Sequence, residues 1–311
     1  MISRKRNRKK IAISSFFLSL ITTLILLLCS LPSGAQNVEE YQRHATIGGT
    51  IPVSIIMLGY SHDKVQINQL LDIVLSKANQ TYYNLDWRNS QGDVSRVNAS
   101  AGTAPVEVSP EVFAAFQAAK KISEWSGGAF DIAYYKGSGS YKDIKLNDSS
   151  KSVQLRGKGM EVRFDDLAQG LIADVMIRYI YHANMHNAMV KAGGVFRGLG
   201  QGMHGPWKIT MEEESGAFAR HALNLIVNNT GIAAISASEF RGVAMIDPRS
   251  KAPTYVQCKG VVVVMNDAAL AQGIARAAFV LGPDKGMEML KKYAKGVIVD
   301  NNGKFIRSPG F

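Results

Sequence analysis

Residues 164–200, FDDLAQGLIADVMIRYIYHANMHNAMVKAGGVFRGLG, constrain the fold more than any other stretch of the chain. They predict a loop carrying Gly170, an apolar helix over about 171–183, and a strand that ends on the pair Gly193-Gly194. Paired glycines after a strand permit positive φ and let a ligand approach the backbone closely. A helix opening beside such a loop offers unpaired N–H groups that can face a phosphate. On these grounds the stretch is one wall of a candidate nucleotide site.

The rest of the chain sets the compartment and class. A basic run (Arg4, Lys5, Arg6, Arg8, Lys9, Lys10) precedes an apolar segment over 11–28, and Ser33-Gly34-Ala35 supplies the small residues of a signal-peptidase site. Residues 1–35 therefore read as a signal peptide and 36–311 as the mature domain, placing the protein in the periplasm or another extracytoplasmic space. A retained membrane anchor is the alternative, because the apolar run approaches bilayer-spanning length. Leu28 before Cys29 is too large for the small-residue site of a lipoprotein. Removing the six leading cations from 36 Lys+Arg leaves 30 against 25 acids, a net +5. That charge suits solubility and gives no nucleic-acid footprint. Cys258 is then the one cysteine, read as a small core residue with no disulfide partner.

Along the mature chain, 37–49 reads as a polar lead-in and 50–58 as a strand. A helix follows over 63–80, then a polar loop over 82–97 whose Tyr82, Tyr83 and Trp87 either stack on a flat ligand or fold onto the body. Ser109-Pro110-Glu111 opens a helix that Gly127-Gly128 ends. Asp131, just beyond, has the local look of a turn residue. Short strands at 152–155 and 161–164 are expected to pair, and further strands are expected at 207–211, 223–227, 243–246 and 260–265. A small-residue helix over 268–281 ends at Gly282-Pro283, a second helix covers 285–293, and 297–306 closes as a hairpin. His182, His186, His204 and His221 are scattered, and Asp165-Asp166 reads as a turn before the Gly170 loop. Strands and helices intersperse without regular βαβ alternation, which indicates a single α+β unit.

Taken in order, these pieces resemble the ApbE-type flavin transferases. Ser126-Gly127-Gly128-Ala129-Phe130-Asp131 is similar to the family's glycine-rich turn ending in Gly-x-Phe-Asp. Ala168-Gln169-Gly170 with Asp174 matches its Ala-Lys/Glu-Gly loop and the early acid of the following helix, and Gly193-Gly194 its glycine pair. Pro206-Trp207-Lys208, Ala244-Met245-Ile246-Asp247-Pro248 and Phe279-Val280-Leu281-Gly282 correspond to three further motifs. The resemblance implies an α+β, T-fold-like domain of mixed sheets with packed helices. It implies FAD as the bound nucleotide, a threonine- or serine-bearing target protein as partner, and Mg²⁺ at the pyrophosphate. By the same resemblance Asp131, Gln169, Gly170, Asp174, Gly193, Gly194, Asp247 and Arg276 fall at cofactor-binding positions.

Four positions depart from the family's pattern. Its metal-ligating Asp and Thr are Gln272 and Arg276 here, its loop Lys/Glu is Gln169, and its motif histidine is Ala244. The main-chain carbonyl at Ile172 remains as a ligand, but with a neutral amide it makes a poor Mg²⁺ site. Gly48-Gly49-Thr50 is a loose version of the family's Met-Gly-Thr. Arg276 has two readings, a solvated helix residue or a guanidinium that pairs with the pyrophosphate in place of the metal. Three functions stay open: an FAD-binding relative with weakened or lost transfer, an active Mg²⁺-dependent FMN transferase, and a protein-binding relative that keeps only the fold.

Overall fold

The computed structural model describes residues 37–136, 139–211, 223–240, 245–254 and 257–311. The expected signal peptide, His221, Ala244 and part of the strand expected at 243–246 lie outside the described residues.

One eight-stranded sheet organises the body. Its strands are β1 (Val38–Ile47), β2 (Ile51–Tyr60), β3 (Ala188–Ala192), β4 (Val195–Leu199), β5 (Gly231–Ser236), β6 (Cys258–Met265), β7 (Lys295–Asp300) and β8 (Phe305–Arg307). They lie side by side in chain order, and every neighbour from β2 to β8 pairs antiparallel. The helices are α1 (Lys64–Leu85), α2 (Asp93–Ala99), α3 (Pro110–Trp125), α4 (Ala168–His182) and α5 (Ala268–Tyr293). α1 to α4 enter between β2 and β3, and α5 between β6 and β7.

Both faces of the sheet are covered, which explains the uninterrupted apolar run Val261-Val262-Val263. Val261 and Val263 belong to the large core formed with α1, α3, α4 and α5. Val262 belongs to a second core on the opposite face with Trp207, Ile209, Leu223 and Val227. The paired strands Lys208–Met211 and Leu223–Ile226 supply that second layer. The α+β class read from the sequence holds.

Several elements differ from expectation. The lead-in at 37–49 is mostly strand β1, where Tyr41 and Ile47 turn inward among polar residues. Helix α1 continues through Tyr82 and Tyr83 to Leu85, because Tyr82 and Leu85 extend its buried stripe beyond 80. The supposed loop after it contains α2. Ser152–Leu155 pairs with Ile144–Asn147 and Val106–Glu107. Of the expected partner 161–164, Glu161 makes a single bridge, to Lys136. Strand β5 carries no strong sequence signal, since GIAAIS is rich in small residues with weak strand preference. The two expected C-terminal helices form one element, broken at Gly282 by φ of 76° ahead of Pro283.

Candidate functional site

The site begins where α4 and α5 start. Each N-terminus is satisfied by a side chain from the other helix. Gln272 on α5 accepts from the Gly170 backbone N–H through Oε1 at 2.7 Å. Asp174 on α4 accepts from the Ala268 and Ala269 N–H groups, each at 2.9 Å. The first N–H groups of a helix have no partner within it, so this exchange closes donors that would otherwise face solvent or ligand. It also holds the two helices in close contact. A Cβ on Gly170 would come within 2.6 Å of the Ala268 carbonyl oxygen and the Ala269 Cα. Gly170 thus sits in the first turn of α4, not in a loop before it, and it is required by helix–helix approach rather than by positive φ.

Gly193 and Gly194 form the two-residue turn of the β3–β4 hairpin, with Gly193 at φ of 57°. The Gln169 side chain occupies the space a Cβ on Gly193 would need. Its Oε1 accepts from the Gly194 N–H at 3.1 Å. Gln169 and Gln272 therefore engage one backbone donor each from the two glycine segments.

Beside these glutamines lies a cleft of about 260 Å³ walled by Gln169, Gly194, Gln272, Arg276, Asp165 and Asp166, with Glu239 among its other residues. Ligand pockets usually exceed roughly 300 Å³, so the cleft matches part of a dinucleotide rather than all of one. Its acidic edge is held by aromatic donors. Trp87 Nε1 donates to Asp165 at 3.2 Å, and the Tyr135 hydroxyl donates to Asp166 at 3.1 Å. The Arg163 guanidinium stacks between these two rings, 3.8 Å from Trp87 and 4.8 Å from Tyr135, and pairs with Glu161. Burial pushes the Asp165 carboxyl above the usual carboxylate range, while the Trp87 N–H and Arg88 oppose the shift.

Arg276 lines the cleft and is four-fifths buried. Its Nη2 lies 3.3 Å from Asp166 Oδ1, and its Cζ lies 5.0 Å from the Phe240 ring centroid. It is not a solvated helix residue. On its far side is a cavity of about 10 Å³, room for roughly one water, lined by Ala129, Phe130, Asp131, Tyr134, Ile246 and Pro248 among others. Three of the quoted motifs, the glycine-rich turn, the Asp-Pro strand and the end of the first half of α5, meet around it.

The remaining expected positions lie apart from the larger cleft. Asp131 is buried and accepts from the Ala133 and Tyr141 N–H groups, both at 2.8 Å, so both oxygens hold the turn. Burial raises its carboxyl above the usual range, against those two hydrogen bonds. Asp247 pairs with Arg249 through both oxygens, at 2.9 and 2.6 Å, and that pairing keeps its carboxyl below the usual range. Asp174 faces a separate groove between α3, α4 and α5 and also pairs with Arg197 at 3.0 Å.

Ile172 is fully buried inside α4, where main-chain carbonyls serve the helix's own ladder. The resemblance alone had offered this carbonyl as a ligand. With Gln272 engaged by Gly170, Arg276 cationic and Ile172 inside the helix, the matched positions do not fit Mg²⁺, which needs several hard oxygen ligands. Among the described residues no three His, Cys, Asp or Glu side chains converge as a metal site.

The sequence offers no signal for Arg163 or Glu239, leaves Trp87 open between stacking on a ligand and folding onto the body, and favours a turn for Asp165-Asp166. The adjacency of Asp165-Asp166 to the Gly170 motif was the available signal, and its turn-like composition masked it. Trp87 lies in the turn just after α1, 78 residues away from Asp165, and no local pattern connects the two.

A model of the ApbE family matches residues 50–138 and 135–299. The FAD:protein FMN transferase of Treponema pallidum (strain Nichols) is 22% identical over 320 residues, covering 88% of each chain. That of Klebsiella pneumoniae (strain 342) is 24% identical over 265 residues, covering 76% of this chain and 82% of the other. Among solved structures, the apo form of the Pseudomonas stutzeri flavinyl transferase ApbE superposes with a TM-score of 0.73 at 16% identity, over 88% of this chain and 95% of that one. The ApbE protein of Thermotoga maritima gives 0.71 at 20% identity, over 87% and 97%. The matched segments span most of the described body, and the chain belongs to the ApbE family.

Proposed function

We propose that this ApbE-family protein is exported, binds FAD in the cleft between the α4 and α5 N-termini, and has weakened or lost FMN transfer. One observation carries the reading: the Gln272 amide oxygen is bonded to the Gly170 N–H, and Arg276 stands one helical turn on, where the family pattern places the metal-holding Asp and Thr. Splitting a pyrophosphate requires charge neutralisation at its oxygens and a positioned nucleophile. Among the described residues the cation lining the cleft is the Arg276 guanidinium, which can pair with phosphate but cannot polarise it as Mg²⁺ does. Binding without cleavage follows.

FAD binding is supported by the retained glycine turn at Gly193-Gly194, the close α4–α5 approach at Gly170, and the curated FMN transferases that match over most of the chain. Export rests on the basic, apolar and small-residue order of the first 35 residues. The test is incubation of the mature protein with FAD, Mg²⁺ and an acceptor domain bearing a target threonine. The expected result is bound FAD and no flavin fluorescence on the acceptor in a denaturing gel. A fluorescent acceptor band sinks the reading in favour of an active transferase.

A further inference from the structure

The ion-paired Arg276 and Asp166 line both the 260 Å³ cleft and the 10 Å³ cavity, and among the described residues they are the two shared by both linings. We propose that Asp166 is an internal competitor for Arg276, which the anionic part of a flavin nucleotide displaces in order to bind. The inference rests on the FAD-binding reading above and concerns how affinity at that site is set.

The geometry is that of a pair that can open. The Arg276 and Asp166 side chains approach to 3.3 Å, whereas Arg249 donates three side-chain hydrogen bonds to Asp247, at 2.6, 2.9 and 3.2 Å. So long an approach lacks the tight fork that makes Arg–carboxylate pairs persistent. Each partner also has a second attachment. The Tyr135 hydroxyl stays on Asp166 Oδ2, and the Phe240 ring stays near the guanidinium. Separation therefore strands neither group without a partner, and strandedness is what makes breaking a buried pair costly. The doubly charged diphosphate of FAD offers Arg276 a bidentate partner in place of the singly charged carboxylate.

Opening the pair would join the two cavities, linking the Gln169–Gly194–Gln272 wall to Phe130, Tyr134 and Pro248. Asp166 would then oppose ligands in proportion to their phosphate charge. A flavin without phosphate, which has no anion to place on Arg276, would be indifferent to it.

The test titrates FAD and riboflavin, in chelator and at low salt, into the mature wild-type protein and three variants: Asp166→Asn, Arg276→Gln and the double variant. Asp166→Asn is expected to tighten FAD about fivefold, the scale of a partly exposed ion pair. Arg276→Gln should weaken FAD, and Asp166→Asn should give no gain in its background. Riboflavin affinity should stay the same throughout. Asparagine still accepts from Tyr135, and Asp166→Ser is a second variant should the amide disturb folding.

FAD affinity unchanged or reduced in Asp166→Asn, with wild-type binding intact, overturns the competition and leaves FAD binding standing. An equal shift in riboflavin affinity also overturns it, because the effect would then be steric. If neither wild type nor Asp166→Asn binds FAD, both this inference and the reading beneath it fall.

Discussion

The Gln272 Oε1 atom lies 2.7 Å from the Gly170 backbone nitrogen, 102 residues away in sequence. With Asp174 bonded to Ala268 and Ala269 in return, the two helices that frame the cleft cap one another. A position that the sequence resemblance would give to a metal ligand is here part of a helix cap.

This exchange predicts a stability cost for Gln272→Ala. The Gly170 N–H would lose its acceptor in a close-packed junction, at about 1–2 kcal/mol. Denaturant unfolding of the mature protein measures it. A change within a few tenths of a kcal/mol would mean that water replaces the amide without loss.

Restoring the family's ligand types gives a functional counterpart. If Gln272 and Arg276 alone disable transfer, the double variant Gln272→Asp/Arg276→Thr should gain Mg²⁺-dependent flavin fluorescence on a threonine-bearing acceptor. Such a gain over wild type would locate the defect at these two positions. A folded, FAD-binding double variant with no transfer would show that it extends beyond them.

Gly170→Ala tests the close approach of α4 and α5. The added carbon would sit 2.6 Å from two backbone atoms of α5, which cannot rotate away as a flexible side chain could. Overpacking of this kind costs about 1–3 kcal/mol, against a small gain in helix propensity. A lowered unfolding midpoint, with FAD affinity reduced through displaced helices, is the expected outcome.

Asp174 should leave a pH signature. Burial pushes its carboxyl from 3.8 up to about 6, against the Ala268 and Ala269 N–H bonds and Arg197. The folded state then holds this proton more tightly than the unfolded chain does. The associated stability is fully present below about pH 4 and is lost as pH rises through 6. Asp174→Asn should remove that component, so the difference between wild type and variant should move in the variant's favour across this window. Parallel stability curves from pH 4 to 6.5 would contradict the assignment.

Cys258 is fully buried, and burial raises its thiol to about 12. A protein of residues 36–311, in which Cys258 is the one cysteine, should resist thiol reagents at neutral pH when native and react with one equivalent once unfolded in denaturant. Ready labelling of the native state would place Cys258 nearer the surface than β6 allows.

The sequence by itself determined the local features whose signals are local. The buried stripe and proline start of α3, the break at Gly282-Pro283, the Gly193-Gly194 turn and the α+β class were all legible from neighbours within a few residues. The six motifs in order pointed to the family before any contact was known. Tertiary structure decided the rest. Strand β5 consists of small residues and is fixed only by β4 and β6 on either side, and β1 is polar except for the few side chains it turns inward. The site followed the same division. The glycines were readable as glycines, but Asp174 became a helix cap only because α5 starts against it, and Asp166 became the partner of Arg276 only because α4 and α5 meet. A carboxylate's role depends on which donors surround it, and the fold brings those donors from residues about a hundred positions away.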